Sequence, residues 1–311
     1  MGKIAFVFPG QGAQYVGMGR ELVDNFEVAD KIFEKASSAI GYDMKKLCFE
    51  GPEEELKKTE NTQPAILTAS IAVYEVLKEK GIFPDVVAGL SLGEYSALVA
   101  AGVIDFKDAV RVVKLRGKYM QEEVPIGVGT MAAFIGLERE KVLEACEKAS
   151  EVGIVEPANF NSPVQIVISG EVKAVERAVE IGKELGAKKA VILNVSAPFH
   201  SSMLKGAGEK LAKELDNIEL SNFNIPVVAN VTADYYKSIE SVKELLIRQV
   251  SSPVLWEDSV KKMIEDGVDT FIEAGPGKAL SGFIKRISKK VTILNVEDIA
   301  SLEKTIKSLT K

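Results

Sequence analysis

A chain of 311 residues, 46% hydrophobic and 27% charged, has material for one large domain or for a large domain carrying a smaller one. Its formal net charge of −6 excludes the basic footprint that non-specific nucleic-acid binding requires. Cys48 and Cys146 stand too far apart for a metal or redox motif, and read as reduced, buried thiols of a cytoplasmic protein.

The opening apolar run, residues 4–8, is too short for a signal-peptide core or a membrane span and reads as a first buried strand. A glycine-rich turn follows, then a helix from about residue 18 with Leu22, Val23, Phe26, Ile32 and Phe33 as core-facing positions. Residues 63–78 are apolar on nearly every side, the pattern of a helix buried all round. Residues 85–88 form a short strand, Ser91 follows in a turn, and residues 93–101 open the next helix. Asp105 is placed to cap a further helix that runs to about residue 121. This alternation of short strands and amphipathic helices predicts an α/β fold.

The rhythm changes after residue 126. Strand 130–136, helix 138–150, strands 155–159 and 165–169, helix 171–185 and strand 188–193 run in the order β-α-β-β-α-β. That order is the ferredoxin-like split unit. Further α/β elements then resume, with strands at 226–229, 270–273 and 291–296, a helix at 238–250 and a closing helix. The unit is accordingly expected as a small domain, 127–195, inserted into a large one made of 1–126 and 196–311.

Gly89-Leu90-Ser91-Leu92-Gly93 lies between the strand ending at residue 88 and the next helix, the setting of a nucleophile elbow. That helix would present free N–H groups where an oxyanion forms. The motif alone is weak; its strand–turn–helix setting favours a nucleophile over an ordinary capping serine. A serine hydroxyl needs a base, and the usual base is imidazole. The chain has one histidine, so any histidine-based mechanism at Ser91 must use His200. Pro198 stiffens the irregular segment before it at the expected domain junction, where sites are common. An α/β-hydrolase places its histidine near the C-terminus, whereas this chain continues from His200 to residue 311, which argues against an ordinary esterase. Either a carboxylate or a backbone carbonyl could orient the imidazole. Gly10 and Gly12 fail the phosphate-loop spacing Gly-x-Gly-x-x-Gly, because Tyr15 occupies its last position.

Taken together, the residues resemble the malonyl-CoA:acyl carrier protein transacylases of type II fatty acid synthesis over essentially the whole chain. The segments that carry the resemblance begin with Phe8-Pro9-Gly10-Gln11-Gly12-Ala13-Gln14, Asn61-Thr62-Gln63-Pro64-Ala65 and Gly89-Leu90-Ser91-Leu92-Gly93-Glu94. Leu115-Arg116-Gly117, Asn159-Phe160-Asn161-Ser162-Pro163 and Val195-Ser196-Ala197-Pro198-Phe199-His200-Ser201 follow. Gln249-Val250-Ser251-Ser252-Pro253-Val254-Leu255-Trp256 and Gly275-Pro276-Gly277-Lys278 complete the set.

The resemblance implies a hydrolase-like α/β large domain with the ferredoxin-like insertion. It implies Ser91 as the acylated nucleophile, His200 as general base and then acid, and the backbone N–H groups of Gln11 and Leu92 as the oxyanion hole. Arg116 would anchor the malonyl carboxylate through its guanidinium fork. Gln249 would lie near His200, where a local backbone carbonyl holds the imidazole. Phe199 would leave little room for an α-methyl branch. The expected reaction moves a malonyl group from malonyl-CoA to the phosphopantetheine thiol of acyl carrier protein in two steps, without metal or redox cofactor. No nucleic-acid or membrane partner is expected, and the chain is expected to be a monomer. Carrier proteins are acidic, as is this chain, so docking would need a local basic patch. Lys188, Lys189, Lys285 and Arg286, with Lys289 and Lys290, are the candidates. One position departs from the family pattern: Leu90 stands where a histidine is common, and is expected to pack behind the elbow. A serine thioesterase or hydrolase, a non-catalytic carrier-binding protein and a trans-acting polyketide acyltransferase are the rival readings.

Overall fold

The opening apolar run folds as strand β1 (Lys3–Phe8), whose alternate residues enter two different cores. Phe6 and Phe8 point into one apolar cluster, Ala5 and Val7 into another. A strand covered on both faces must be apolar at successive positions, which is why this run shows no polar alternation. The structure, a computed structural model, describes residues 2–195 and 197–310. The domain boundary expected at Ser196, and that residue of the His200 segment, lie outside the described residues.

The remaining strands are β2 (Val86–Gly89), β3 (Gly129–Ile135), β4 (Val155–Ser162), β5 (Gln165–Glu171), β6 (Lys189–Ile192), β7 (Val227–Val228), β8 (Val268–Ala274) and β9 (Thr292–Val296). They form a mixed α/β fold with two sheets. One is parallel, in the order β7-β2-β1-β8-β9, with β1 at its centre. The other is antiparallel, in the order β4-β5-β3-β6, and its strands alternate with the helices Arg139–Ala149 and Val172–Glu184 in the β-α-β-β-α-β sequence read from the residues. Phe134, Phe160, Ile166 and Ile168 of this sheet share an apolar cluster with Val142, Cys146 and Val175 of those helices. Among the described residues, no helix is long and apolar enough to cross a membrane.

Helices cover both faces of the parallel sheet. Thr59–Glu79 is buried along most of its length and begins four residues before the expected start, with Pro64 inside it. The helix expected from about residue 18 is two helices, Arg20–Asn25 and Glu27–Ile40, because Phe26 between them is extended at φ −133° and ψ 116°. Leu22, Ile32 and Phe33 are buried as expected, while Val23 and Phe26 pack only partly against the core. Asp105 caps Phe106–Glu122, its carboxylate accepting from the N–H groups of Lys107 (2.8 Å) and Asp108 (3.4 Å).

What this architecture positions is the turn after β2. Ser91 has φ +54°, in the left-handed region that a non-glycine residue rarely occupies. The glycines either side of it are spatial necessities. A Cβ on Gly89 would lie 1.9 Å from the Gly93 carbonyl carbon, and one on Gly93 would lie 2.1 Å from the Phe8 carbonyl oxygen. The helix Gly93–Ala100 can thus leave the sheet directly beside β1 only if both positions lack side chains.

Gly89→Ala should therefore destabilise the fold by at least about 1–3 kcal/mol, the usual cost of forcing extra atoms into packed space. Gly282→Ala is the control of opposite sign. Gly282 lies inside the helix Ala279–Ile287 with open space where a Cβ would go, so alanine there should stabilise by about 0.4–1 kcal/mol. Urea unfolding of both variants checks the pair; equal and small effects would show that the elbow can relax around a methyl group.

Candidate active site

Ser91 Oγ lies 2.7 Å from His200 Nε2, and His200 Nδ1 lies 2.8 Å from the backbone carbonyl oxygen of Gln249. A carbonyl can only accept, so Nδ1 carries the proton and Nε2 is left as an acceptor for the serine hydroxyl. The Gln249 carbonyl is available because it sits in the last turn of the helix Glu240–Val250, where carbonyls have no partner within the helix. His200 also has a left-handed backbone, φ +60°, and the Ser201 hydroxyl donates to the Pro198 carbonyl (2.8 Å) across the same turn. Among the described residues only Ser91, His200 and Ala233 are non-glycine residues with positive φ. Two of the three face each other here, which is where stored backbone strain is expected.

Arg116 projects from Phe106–Glu122 into the same space and is 1% exposed. Its Nη2 donates to Ser91 Oγ (3.1 Å) and to Gln249 Oε1 (2.8 Å), and its Nη1 donates to Gln63 Oε1 (2.8 Å). The guanidinium also stands 5.5 Å from the centre of the Tyr95 ring. These partners are two amides, a hydroxyl and a ring, none of them an anion. Burial lowers the guanidinium's pKa, yet arginine retains its charge in proteins. The result is a buried cation within reach of the serine and without a carboxylate in contact, a site complementary to a carboxylate-bearing ligand.

A second layer holds these groups. The Ser91 N–H donates to Asn230 Oδ1 (2.6 Å), and Asn230 Nδ2 donates to the Gly89 carbonyl (2.7 Å). Gln249 Nε2 donates to the Ser91 carbonyl (2.9 Å) and to Glu94 Oε2 (2.6 Å), and the Asn230 N–H donates to the same carboxylate (3.2 Å). The Tyr236 hydroxyl donates to Glu94 Oε1. Sequence reasoning gave no role to Asn230, Tyr236, Glu94 or Gln63. Asn230 had one available signal, its place just beyond a strand of the parallel sheet, on the side where such sheets carry their sites.

Gln11 follows β1 in a turn beside the elbow, and a Cβ on its neighbour Gly10 would lie 2.5 Å from the Leu90 carbonyl oxygen. Leu92 precedes Gly93–Ala100 with its side chain buried. Among the described residues, neither the Gln11 nor the Leu92 N–H has an intramolecular acceptor. Leu90 packs partly against the cluster on the Ala5 and Val7 face. Phe199 is buried in the main core beside His200, its N–H donating to the Ala197 carbonyl (3.0 Å). The basic candidates do not form one patch. Lys188 and Lys189 are exposed at β6, one edge of the antiparallel sheet. Lys285 and Arg286 are exposed on the helix Ala279–Ile287, which packs on β4 at the other edge.

Burial pushes the His200 imidazole down to about 4, and the neighbouring Arg116 charge lowers it further, against the opposing effect of the ring's hydrogen bonding to the Gln249 and Ser252 backbone. Burial raises the Glu94 carboxyl to about 7, in spite of its hydrogen bonds from Tyr236, Gln249 and Asn230 and the charge of Arg116.

A serine on a strained strand-to-helix turn, a neutral imidazole against its hydroxyl and a buried guanidinium beside both define the site of an enzyme acting on acyl groups. The whole-chain comparisons agree. Residues 5–310 match the family described as acyl transferase domain, and the chain belongs to that family. It is 49% identical to the malonyl CoA-acyl carrier protein transacylase of Bacillus subtilis, covering 99% of this chain and 98% of the relative. The enzyme of the same name from Escherichia coli K12 is 50% identical, covering 94% and 95%. A crystal structure of that enzyme from Clostridium perfringens superposes with a TM-score of 0.97 at 54% identity, over 99% of this chain and 97% of that one. A further structure, a type II PKS acyl-carrier protein in complex with its malonyl-transacylase, superposes with a TM-score of 0.96 at 48% identity, over 98% and 99%.

Because His200 is the only histidine, its imidazole resonance is unambiguous in a proton-detected titration. The midpoint should fall near 4; a midpoint of 6 or above would show that the ring is hydrated in solution. The stability consequence follows from the depressed value. The unfolded chain takes up a proton at the ordinary histidine value of about 6.5 and the folded chain only near 4, so this contribution is full above 6.5 and is lost as pH falls between the two.

Proposed function

We propose that the chain transfers a malonyl group from malonyl-CoA to the phosphopantetheine thiol of an acyl carrier protein, through a malonyl ester on Ser91. The observation that carries this reading is the buried Arg116, whose Nη2 lies 3.1 Å from Ser91 Oγ and whose hydrogen bonds go only to uncharged groups. A malonyl thioester ends in a carboxylate two carbons from its reacting carbonyl. Seating that carboxylate on Arg116 brings the carbonyl to Ser91.

In the first step His200 Nε2 takes the Ser91 proton as Oγ attacks the thioester carbonyl. The Gln11 and Leu92 N–H groups receive the negative charge that develops on oxygen, helped by the positive end of Gly93–Ala100. Collapse breaks the carbon–sulfur bond, and the departing CoA thiolate takes the proton from His200. In the second step the carrier thiol gives its proton to His200 and attacks the ester carbonyl, and the proton returns to Ser91 Oγ. Phe199 limits the room for an α-branched acyl group. On this reading the parallel-sheet part, 1–126 and 196–311, is a hydrolase-like domain and 127–195 a ferredoxin-like insertion. The solved complex of a relative with a type II PKS carrier favours testing a polyketide carrier as acceptor beside a fatty-acid one.

Intact mass after mixing with malonyl-CoA, followed by addition of each holo-carrier, tests the reading. An adduct should form on the wild type, discharge to a carrier, and be absent in Ser91→Ala. An adduct that persists in that variant would place the ester elsewhere.

Arg116→Ala should lower the ratio of kcat/KM for malonyl-CoA to that for acetyl-CoA, which has no carboxylate to anchor. Removing one partner of a buried charge pair costs about 2–5 kcal/mol, or roughly thirty- to several-thousand-fold. An unchanged ratio would remove Arg116 from substrate recognition.

A further inference from the structure

Glu94 follows Ser91 by three residues and is 1% exposed in the first turn of Gly93–Ala100. Its carboxylate is too far into the second layer to meet the thioester, since both oxygens are taken up by protein donors. Oε1 accepts from the Tyr236 hydroxyl, and Oε2 accepts from Gln249 Nε2 (2.6 Å) and from the Asn230 N–H (3.2 Å). When ionised, the group is acceptor-only on every side.

That property bears on Gln249. A glutamine amide has one accepting and one donating end, and nothing in its shape decides which way round it lies. Gln249 points Nε2 at Glu94 and the Ser91 carbonyl, which leaves Oε1 to accept from Arg116 Nη2 (2.8 Å). Turned over, its oxygen would face a carboxylate and its NH2 would face a guanidinium. Both contacts would be repulsive. Asn230 is fixed from the same carboxylate through its backbone, and its Oδ1 holds the Ser91 N–H (2.6 Å). Tyr95, Tyr236 and Arg116 are the titratable neighbours that act on this carboxyl or that it acts on.

We propose that Glu94 is a positioning residue: by fixing the polarity of the Gln249 amide and the seat of Asn230, it aims the Arg116 guanidinium and selects acyl groups that end in a carboxylate. This rests on the reading of Arg116 as the carboxylate anchor. A purely structural Glu94 would affect folding and all substrates alike. A positioning Glu94 affects the substrate that uses Arg116.

The experiment compares wild type, Glu94→Ala and Glu94→Gln in steady-state transfer from malonyl-CoA and from acetyl-CoA, with melting temperatures alongside. Glu94→Ala removes one of the acceptors that hold Gln249 Nε2 and leaves the Ser91 carbonyl (2.9 Å) to hold it, so the amide is less firmly oriented. The malonyl-CoA KM should rise and the malonyl-to-acetyl ratio of kcat/KM should fall by about tenfold or more, the effect expected of a lost hydrogen bond to a charged group. Glu94→Gln can keep its carbonyl toward Gln249 and Asn230 and its NH2 toward the Tyr236 oxygen, and should restore the ratio to within about threefold of wild type. If Glu94→Ala does not fold, the same pair of substrates is run on Glu94→Asp, whose shorter reach should lower the ratio by a smaller factor. Equal losses on both substrates in the alanine or aspartate variant would overturn the proposal while leaving the reading of Arg116 intact. A wild-type enzyme with no preference for malonyl-CoA would overturn both.

Discussion

The rest of the site is arranged around a guanidinium that has been taken out of water without an anion to meet it. Removing a charge from water costs several kcal/mol even after relaxation, and a carboxylate partner is the usual way to offset that. Arg116 instead receives neutral amide oxygens from Gln63 and Gln249, a serine oxygen and the Tyr95 ring. Such partners keep the cation in place without satisfying it. The nearest compensating carboxylate, Glu94, is held one amide away, across Gln249. This spacing leaves Arg116 without a carboxylate in contact while a carboxyl group stands one amide away.

Backbone groups left over from regular structure supply most of the remaining chemistry. The carbonyl that orients His200 belongs to the last turn of one helix, and the Leu92 N–H beside Ser91 belongs to the residue that precedes another. The Gln249 side chain ties these two helix ends together, its Nε2 donating to the Ser91 carbonyl (2.9 Å). The left-handed turns at Ser91 and His200 then aim the two side chains at each other. Such turns cost about 1–3 kcal/mol each, and they persist only because the surrounding contacts determine them, at Ser91 the close approach of Gly89 to Gly93 and of Gly93 to Phe8, and at His200 the hydrogen bond from the Ser201 hydroxyl to the Pro198 carbonyl.

How much of this was legible in the sequence differed by element. The continuous apolar run of β1, the all-round apolar helix Thr59–Glu79 and the Asp105 cap carry strong local signals, and each was read with boundaries off by only a few residues. The break at Phe26 was not legible, because no glycine or proline marks it and the apolar spacing continues through it. The helices Lys205–Asp216 and Trp256–Glu265 went unplaced although each is amphipathic, with Ala207, Leu211 and Leu215, and Trp256, Val260 and Met263, buried at helical spacing. In the site, Ser91 and His200 were legible from the elbow and from the absence of any other imidazole. Glu94 and Asn230 were not, because their parts are fixed by hydrogen bonds between residues 136 and 139 positions apart in the chain. A polar residue that acts through another residue leaves no spacing to detect.

The carbonyl that holds His200 sets the site apart from one built on a carboxylate. A carboxylate would stabilise the imidazolium; a carbonyl orients the ring while doing much less for its charge, and the nearby Arg116 opposes that charge outright. In the free enzyme the ring is consequently neutral at pH 7 and ready to accept a proton, but a weak base. On the proposed reading, substrate changes this balance. A malonyl carboxylate seated on Arg116 cancels the cation that suppresses the imidazolium, so His200 becomes a stronger base when a carboxylated acyl group is bound. An acetyl group brings no such charge. The same guanidinium would then discriminate twice, once by holding the correct acyl group and once by leaving the base depressed when the wrong one is present.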